Sequence, residues 1–363
     1  MTVVFVDSGL DAGLTWHCGD PLREQRWLED GTAAVDLSNR EVVCLTGSDR
    51  ATLLNLLGTQ KVDTLEVSQS SSTYLLDGNG RIVHSLAFVM TQDAIWGWTE
   101  PGHGAALVDH LNRMRFRMDV EARLRPDMTV VWSADPMWGA GDDGDGGAAD
   151  GGAGHGDADS DPRGRELSVS SPKPDSSRPR RSGTPSCLGG YEVFHPRDDV
   201  PTGGRWAGVW AYTARRIAAG VPRFGVDTDA RAIPNELGVP SEAVALNKGC
   251  YPGQETVAKV YNVGSPPRRL VRLHLDGSEE RFLDSGAVLT CVSAPDVPIG
   301  FLGSMAYHHQ LGPIGLGLVK RDTDDDATIL ADGVPARIEP LVDRDVGLHV
   351  RADLNTQISR RRL

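Results

Sequence analysis

The chain has 363 residues, room for about two or three domains, and its formal net charge of −13 gives it no electrostatic reason to bind a polyphosphate backbone. Its first ten residues include Asp7 and lack the basic stretch and apolar run of a signal peptide, and nowhere do about 20 apolar residues follow one another. We therefore expect a cytoplasmic protein that binds neither nucleic acid directly nor membranes.

The first ordered block, residues 1–138, alternates strand and helix patterns. Residues 33–45 predict two short strands around a polar turn, and Ser48 is placed to cap a helix that carries four leucines and ends at Gly58. Two β-prone runs on either side of the Gly-rich turn 77–80 predict a hairpin.

A helix and a closing strand complete this block. Five apolar residues recur at helical spacing and predict a helix whose apolar stripe faces the core. The stripe is formed by Leu107, Val108, Leu111, Met114 and Met118. Residues 128–132 then predict a strand.

A low-complexity insertion follows at residues 139–189. It contains no aromatic residue and is dominated by Gly, Asp, Ser, Pro and Arg. Such a composition cannot bury enough apolar surface to offset the entropy cost of ordering, about 1–2 kcal/mol per residue. We predict that this insertion is disordered.

The pattern changes once more after the insertion. Residues 190–194 predict a strand, and residues 205–219 predict a helix with Gly220 as its C-cap. From residue 270 onward, several short strands without a long helix predict a small β-barrel or sandwich. These strands are expected at 270–275, 288–292, 314–320, 328–330 and 336–338.

The metal-binding residue types form no recognisable ligand set. The five cysteines are scattered without a Cys-x-x-Cys pair, which argues against a disulfide framework and against a self-contained zinc or iron–sulfur site. In His308–His309 and His17–Cys18 the neighbouring side chains would point to opposite faces of a strand, and no partner follows at ligand spacing. We predict no metal site.

The run 247–255, Asn-Lys-Gly-Cys-Tyr-Pro-Gly-Gln-Glu, has the highest density of special residues. Its Pro-Gly pair suits the central positions of a type II turn, which would present Cys250 and Tyr251 at a bend. Lys248, two residues before the thiol, would favour the thiolate. The residue types alone also allow an ordinary surface turn with an inert cysteine.

Residues 248–255 resemble the signature of YgfZ-type folate-binding proteins, which are related to the T-protein of the glycine cleavage system. Other stretches are similar to the wider T-protein superfamily, so that the resemblance spans roughly residues 30–345 apart from the insertion. These stretches are 36–38, 45–49, 75–82, 190–192, 216–222, 233–236, 300–304 and 315–319.

The resemblance implies an α+β fold around a central cavity that holds tetrahydrofolate. Its folate-binding region has two T-protein-like α+β parts, and a β-barrel follows at the C-terminus. On this chain the two parts are expected at residues 1–138 and 190–265, on either side of the insertion 139–189, and the barrel at residues 266–363.

The resemblance also implies a function. YgfZ-type proteins bind tetrahydrofolate, or a related reduced folate, and assist iron–sulfur cluster assembly or repair in client enzymes, including radical enzymes that modify tRNA. Cys250 and Lys248 are then the expected catalytic residues. The expected folate contacts are Tyr74, Arg81, Trp96, Tyr191, Glu192, Tyr251, Gln254 and Glu255.

Two departures from the T-protein pattern leave open whether the chain is an enzyme. Paired aspartates are replaced by His84 and Ser85, and a pterin-binding glutamate is replaced by Ala218. Aminomethyl transfer needs a carboxylate near the folate nitrogen. One alternative is nonetheless folate-dependent aminomethyl transfer or demethylation on a small amine, and another is a non-catalytic interaction module that uses the insertion.

Overall fold

The structure is a computed structural model that describes residues 2–135, 180–182, 188–238, 243–263, 266–278 and 280–344. Of the helices in these ranges, none combines the length and the apolar character that a membrane crossing requires.

The helices and strands alternate at first and give way to strands alone. Residues 2–135 form β1 (Val4–Phe5), β2 (Thr15–His17), α1 (Pro21–Glu29), β3 (Ala33–Asp36), β4 (Glu41–Thr46), α2 (Arg50–Leu57), β5 (Ser70–Leu76), β6 (Ile82–Met90), β7 (Ala94–Thr99), α3 (Gly104–Met114), β8 (Glu121–Leu124) and β9 (Met128–Ser133). Residues 180–263 form β10 (Arg180–Ser182), β11 (Tyr191–Pro196), β12 (Arg205–Ala207), α4 (Val209–Ala218), a 3-10 helix (Pro234–Leu237) and α5 (Gln254–Val263). The last strands are β13 (Arg268–Leu275), β14 (Val288–Cys291), β15 (Ala294–His308), β16 (Gly312–Lys320), β17 (Thr328–Ala331) and β18 (Val334–Pro340).

Two five-stranded sheets precede the barrel. The first has the order β5-β6-β7-β4-β8 and is antiparallel throughout. The second has the order β10-β11-β9-β3-β12, in which β12 runs parallel to β3. The two strands predicted within residues 33–45 are confirmed as β3 and β4, but they belong to different sheets. Their polar turn therefore carries the chain from one sheet to the other.

Successive side chains of β6 point to opposite faces of the first sheet, and each face packs against a different hydrophobic cluster. Leu86 and Phe88 pack with α2 and α3, where Leu107 and Leu111 are fully buried. Val89 points to the other face and packs with residues of the second sheet, α1 and α4. The predicted stripe is confirmed as a core contact for the residues of α3, since Leu107 and Leu111 are buried in the cluster with α2 and Val108 and Met114 pack against it. The helix ends at Met114, so Met118 packs against the same cluster from the following turn and not from the helix.

The C-terminal strands form a closed barrel with the order β13-β16-β15-β14-β17-β18, and closure removes the sheet edges. The predicted strands are confirmed, but β15 was missed. Its sequence contains two prolines, Pro295 and Pro298, and two glycines, Gly300 and Gly303, which are poor strand formers. Gly300 is required there because a Cβ atom would lie 2.1 Å from the carbonyl oxygen of Leu318.

Two helix boundaries differ from the predictions. Helix α2 begins at Arg50, and Ser48 does not cap it; its N–H and its hydroxyl instead donate to the Asp119 carboxylate at 3.0 Å. Residues 205–207 form β12 rather than helix, because they complete the edge of the second sheet beside β3. The C-cap of α4 is Ala219, and Gly220 is the next residue, with φ +70°.

Part of the predicted insertion is ordered. Residues 180–182 form β10, which pairs antiparallel with β11. The prediction of disorder is wrong for these three residues, because main-chain pairing with a formed sheet does not require apolar side chains. It is also wrong at the end of the predicted range, where Leu188 is buried in the core beside the second sheet. The other predicted residues, 139–179 and 183–187, lie outside the described residues.

Candidate functional site

The signature segment forms the predicted tight turn. The N–H of Gln254 donates to the carbonyl oxygen of Tyr251 at 3.2 Å, and Gly253 has φ +77°. With Pro252 at the preceding position this is a type II turn. The turn leads directly into α5, and it leaves Cys250 exposed.

The turn of the β5–β6 hairpin packs against this segment, backbone to backbone. A Cβ atom on Gly253 would lie 2.7 Å from the carbonyl oxygen of Asp77, and one on Gly80 would lie 2.7 Å from the Cβ atom of Thr256. Gly80 also has φ +81°. Both glycines are therefore needed for the contact that fixes Cys250 relative to the first sheet.

Lys248 anchors the segment to the end of α2. Its ammonium donates to the carbonyl oxygens of Asn55, Gly58 and Gln60, the last at 2.9 Å, and lies 5.0 Å from the ring centroid of Tyr251. Burial lowers the pKa of Lys248 to about 8. A cation at carbonyls that end a helix is also favoured by the helix dipole. Lys248 thus has a structural role in this turn, and its predicted catalytic role stays a prediction.

Tyr74 and Tyr251 lie in one apolar cluster beneath the turn, together with Leu76 and Val257. Burial raises the pKa of both phenols to about 12, so both stay protonated at neutral pH. At the rim of this region Arg81 and Glu255 are exposed and Gln254 is half-buried. The structure thus brings most of the predicted site residues to the hairpin turn and the start of α5.

The remaining predicted folate contacts belong to a different cluster, between the two sheets. The indole N–H of Trp98 donates to Glu192 at 2.7 Å, and Glu192 is buried. Trp96 packs near Phe194, with ring centroids 6.3 Å apart. Tyr191, at the start of β11, is half-buried.

A network of charged side chains lies beside Trp98, and no pattern in the sequence predicted it. Arg223 donates to Glu100 at 2.7 Å and bidentately to Asp11 at 2.7 and 2.8 Å. Arg40 contacts Glu100 and stacks on Trp98, with 4.7 Å from its guanidinium carbon to the ring centroid. These partners are up to 212 positions apart, so no local pattern could indicate them.

Arg40 is the least compensated member of that network. It is 4% exposed, and burial lowers its pKa to about 9, with the charge of Arg223 acting in the same direction. Its Nε atom has no hydrogen-bond partner among the residues that the structure describes. A buried guanidinium N–H without an acceptor is costly, so this position suits an acceptor atom from a ligand or a water molecule.

The two positions at which the resemblance implies aspartates, His84 and Ser85, hold a neutral imidazole and a hydroxyl. The ring centroid of His84 lies 5.5 Å from that of His110 in α3. Burial, then the charges of His110 and His103, lowers the pKa of His84 to about 4. Neither His84 nor Ser85 can act there as a carboxylate at neutral pH.

The paired histidines at the end of β15 do not point apart as predicted. Their ring centroids are 4.8 Å apart, because His308 ends the strand and His309 lies in the turn. The Glu29 carboxylate, which accepts a hydrogen bond from His309 Nε2 at 2.8 Å, brings a third possible ligand. His308 Nδ1, however, accepts two backbone N–H groups at 3.2 Å, which places the proton of the neutral ring on Nε2 and disfavours metal binding there.

A cleft of about 390 Å³ opens at the second sheet, where β3, β9 and β12 meet. None of the predicted site residues lines it, although the structure describes all of them. The predicted folate contacts therefore lie outside the lining of this cleft.

No protein-family profile matches the sequence, and no curated protein does. Solved structures do match. One of them, the glycine cleavage system aminomethyltransferase T from Bartonella henselae, superposes with a TM-score of 0.68 and 15% sequence identity, and the match covers 95% of each chain.

The chain has the fold of a glycine cleavage aminomethyltransferase. The predicted T-protein-like fold with its C-terminal barrel is thereby confirmed over nearly the whole length. At this level of identity the likeness of the two chains concerns their folds.

Proposed function

We propose that this protein binds tetrahydrofolate, or a related reduced folate, and assists iron–sulfur cluster assembly or repair in client enzymes through Cys250. The observation that carries the proposal is the exposed thiol on a glycine-held turn, within the fold of an aminomethyltransferase. Radical enzymes that modify tRNA are the proposed clients. The proposed compartment is the cytoplasm.

The exposure of Cys250 separates it from the other cysteines in the described part of the chain. Cys44 is buried, and Cys18 and Cys291 are partly buried. A thiol that has to meet a client protein or its cluster must be accessible, and a buried thiol is inert. The Lys248 anchor and the two glycines hold this accessible sulfur in one place relative to the first sheet.

The buried groups between the sheets fit a folate chemically. A pterin presents ring acceptors, N–H donors and a flat face. Arg40 offers an unpartnered N–H among the described residues, Glu192 offers a carboxylate, and Trp98 offers an indole face. Around the signature, Tyr74, Tyr251, Arg81, Gln254 and Glu255 are the proposed contacts for the remainder of the molecule, and Trp96 and Tyr191 complete the set.

Binding without turnover is the favoured form of the proposal. Proton management at the folate nitrogen in aminomethyl transfer requires a carboxylate. The chain has instead a neutral imidazole at His84 and a hydroxyl at Ser85. The other replaced position, Ala218, has a methyl side chain and cannot accept a hydrogen bond from a pterin.

A second candidate function is folate-dependent aminomethyl transfer or demethylation on a small amine. The observation in its favour is that the matching solved structure is named an aminomethyltransferase and is covered over 95% of its chain. This candidate requires the carbon of an aminomethyl group to pass to the bound folate with ammonia as the leaving group, whereas release of formaldehyde from a methylated amine requires a two-electron acceptor as co-reactant.

The test combines binding with a cellular assay. Calorimetric titration with tetrahydrofolate should show saturable binding, and incubation with a methylated amine and an added two-electron acceptor should release no formaldehyde. In cells that lack the native gene, the wild-type chain and the control variant Cys291→Ala should restore the activity of a tRNA-modifying radical enzyme, and Cys250→Ala should not. Formaldehyde release would favour the second candidate, and full restoration by Cys250→Ala would refute the role of the thiol.

A further inference from the structure

The cleft of about 390 Å³ at the second sheet has a volume typical of a small-molecule site. Its wall includes Asp36 at the end of β3, Thr129 on β9, Trp206 on β12, and Ser38 and Arg197 in the adjoining loops. These residues come from four separate stretches of the chain, so the cleft is a product of the tertiary fold.

One wall of the cleft carries an acidic side chain, Asp36, and a basic side chain, Arg197, and both form hydrogen bonds with Ser38. Asp36 accepts from the N–H and the hydroxyl of Ser38 at 2.8 and 3.1 Å. Arg197 donates to the carbonyl oxygen of Ser38 at 2.9 Å and to that of Pro126 at 2.8 Å. A carboxylate has about four acceptor positions and a guanidinium five N–H groups, so both retain capacity for a ligand.

A threonine with a buried hydroxyl lines the same cleft. Thr129 is 2% exposed, and its Oγ1 atom has no hydrogen-bond partner in the described part of the chain. A buried polar atom that lines a cavity is normally paired with water or with a ligand. Trp206, Val200 and Ala207 supply an apolar surface beside these polar groups.

We propose that this cleft binds a small amino acid as its zwitterion. The ammonium group pairs with Asp36, the carboxylate pairs with Arg197, and an apolar side chain lies against Trp206. A phosphate-like dianion would be repelled by Asp36, and a simple cation by Arg197, whereas a zwitterion satisfies both charges in charge-assisted hydrogen bonds. The hydroxyl of Thr129 provides one further neutral hydrogen bond.

Calorimetric titration of the full chain with L-leucine, L-methionine and L-phenylalanine, each alone, tests the proposal. At least one should bind with a Kd below about 1 mM. The corresponding amine and carboxylic acid, which each lack one charged group, should bind about 10- to 100-fold more weakly. Equal binding of these monofunctional compounds, or no binding of any amino acid, would overturn the proposal.

Variants of the lining residues test whether the amino acid binds in this cleft. Asp36→Asn keeps an acceptor for Ser38, and both it and Arg197→Gln should weaken amino acid binding about 10-fold or more. Thr129→Val should weaken it by less while leaving the melting temperature equal or higher, because it removes an unpartnered buried hydroxyl. The exposed pair Arg281 and Asp332 on the barrel supplies matched controls, Arg281→Gln and Asp332→Asn, which should change nothing. Unchanged affinity in Asp36→Asn and Arg197→Gln would exclude this cleft.

Discussion

At the scale of single residues, the environments of the cysteines differ more than their sequence contexts suggest. Burial raises the pKa of Cys44, and burial followed by the charge of Glu24 raises the pKa of Cys18. Cys250 instead sits exposed before a tight turn. The reactivity of a thiol rises with its solvent exposure and with its thiolate fraction, so the rate of alkylation of each cysteine reports these differences.

We predict that iodoacetamide modifies Cys250 first among the four described cysteines. Its exposed sulfur should react at least about 10-fold faster than that of Cys44, which is buried and has a raised pKa. Peptide mass mapping of the native protein over time measures each rate, and the unfolded protein provides the reference. Earlier modification of Cys44 would contradict the structure of this segment.

His84 gives a prediction on acid stability. Its pKa is about 4 in the folded protein and 6.5 when unperturbed, so between these values the unfolded chain binds more protons at this site. Its contribution to stability is therefore complete above pH 6.5 and is lost as the pH falls toward 4, by about 1–3 kcal/mol in all. In His84→Leu the urea-unfolding free energy should fall less steeply across this window.

A control separates this effect from general acid destabilisation. His17→Gln alters a histidine of β2, outside the cluster of His84, His103 and His110. This variant is the control for the loss of a histidine outside that cluster. An identical slope in His84→Leu and the wild type would show that His84 is not the group that titrates.

At the scale of elements, the contact between the β5–β6 turn and the start of α5 is the feature on which the candidate site depends. It joins two segments that are more than 170 positions apart, residues 77–80 and 253–256, by direct backbone approach. Glycine is required at both contact positions by space and by positive φ. The neighbouring Gly78 has open space around it.

Gly253→Ala should therefore destabilise the protein by about 2–4 kcal/mol. A left-handed conformation costs an L-residue about 1–2 kcal/mol, and overpacking adds a similar amount. Gly78→Ala is the matched control in the facing turn and should change the unfolding free energy by less than about 1 kcal/mol. Urea unfolding measures both, and an equal cost for the two variants would contradict the close approach.

At the scale of the whole molecule, a buried ion pair ties the barrel to the rest of the chain. Asp227 accepts from Arg216 of α4 at 2.9 Å, from the N–H of Arg223 at 2.7 Å, and from the N–H of Ser304 in β15 at 2.6 Å. Asp227 is 1% exposed. One carboxylate thus receives donors from a helix, a loop and a barrel strand.

Asp227→Asn should cost about 3–5 kcal/mol, because the isosteric amide leaves the buried Arg216 guanidinium without its counter-charge. Asp332→Asn, which breaks the exposed pair with Arg281, should cost less than about 1 kcal/mol. Thermal and urea unfolding compare the two. Similar costs would mean that the buried pair does not couple the barrel to α4.

The sequence was sufficient for features that depend on neighbouring residues. The turn at 77–80 with its hairpin, the turn at Pro252–Gly253 and the apolar stripe of α3 were all predicted and found. Each is governed by φ preferences or by side-chain periodicity over a few positions, which a short stretch of sequence expresses fully. The T-protein-like fold was predicted from the resemblance of residues 248–255 and of the other stretches to that superfamily.

Only the tertiary structure decided which distant residues meet. It placed β3 and β4 in different sheets, turned residues 205–207 into an edge strand, and gave Lys248 three carbonyl partners about 190 positions away. It also assembled Arg40, Glu100, Arg223 and Asp11 into one buried network. Such pairings are selected by the burial and the charge balance of the complete core, and no local stretch of the chain contains that information.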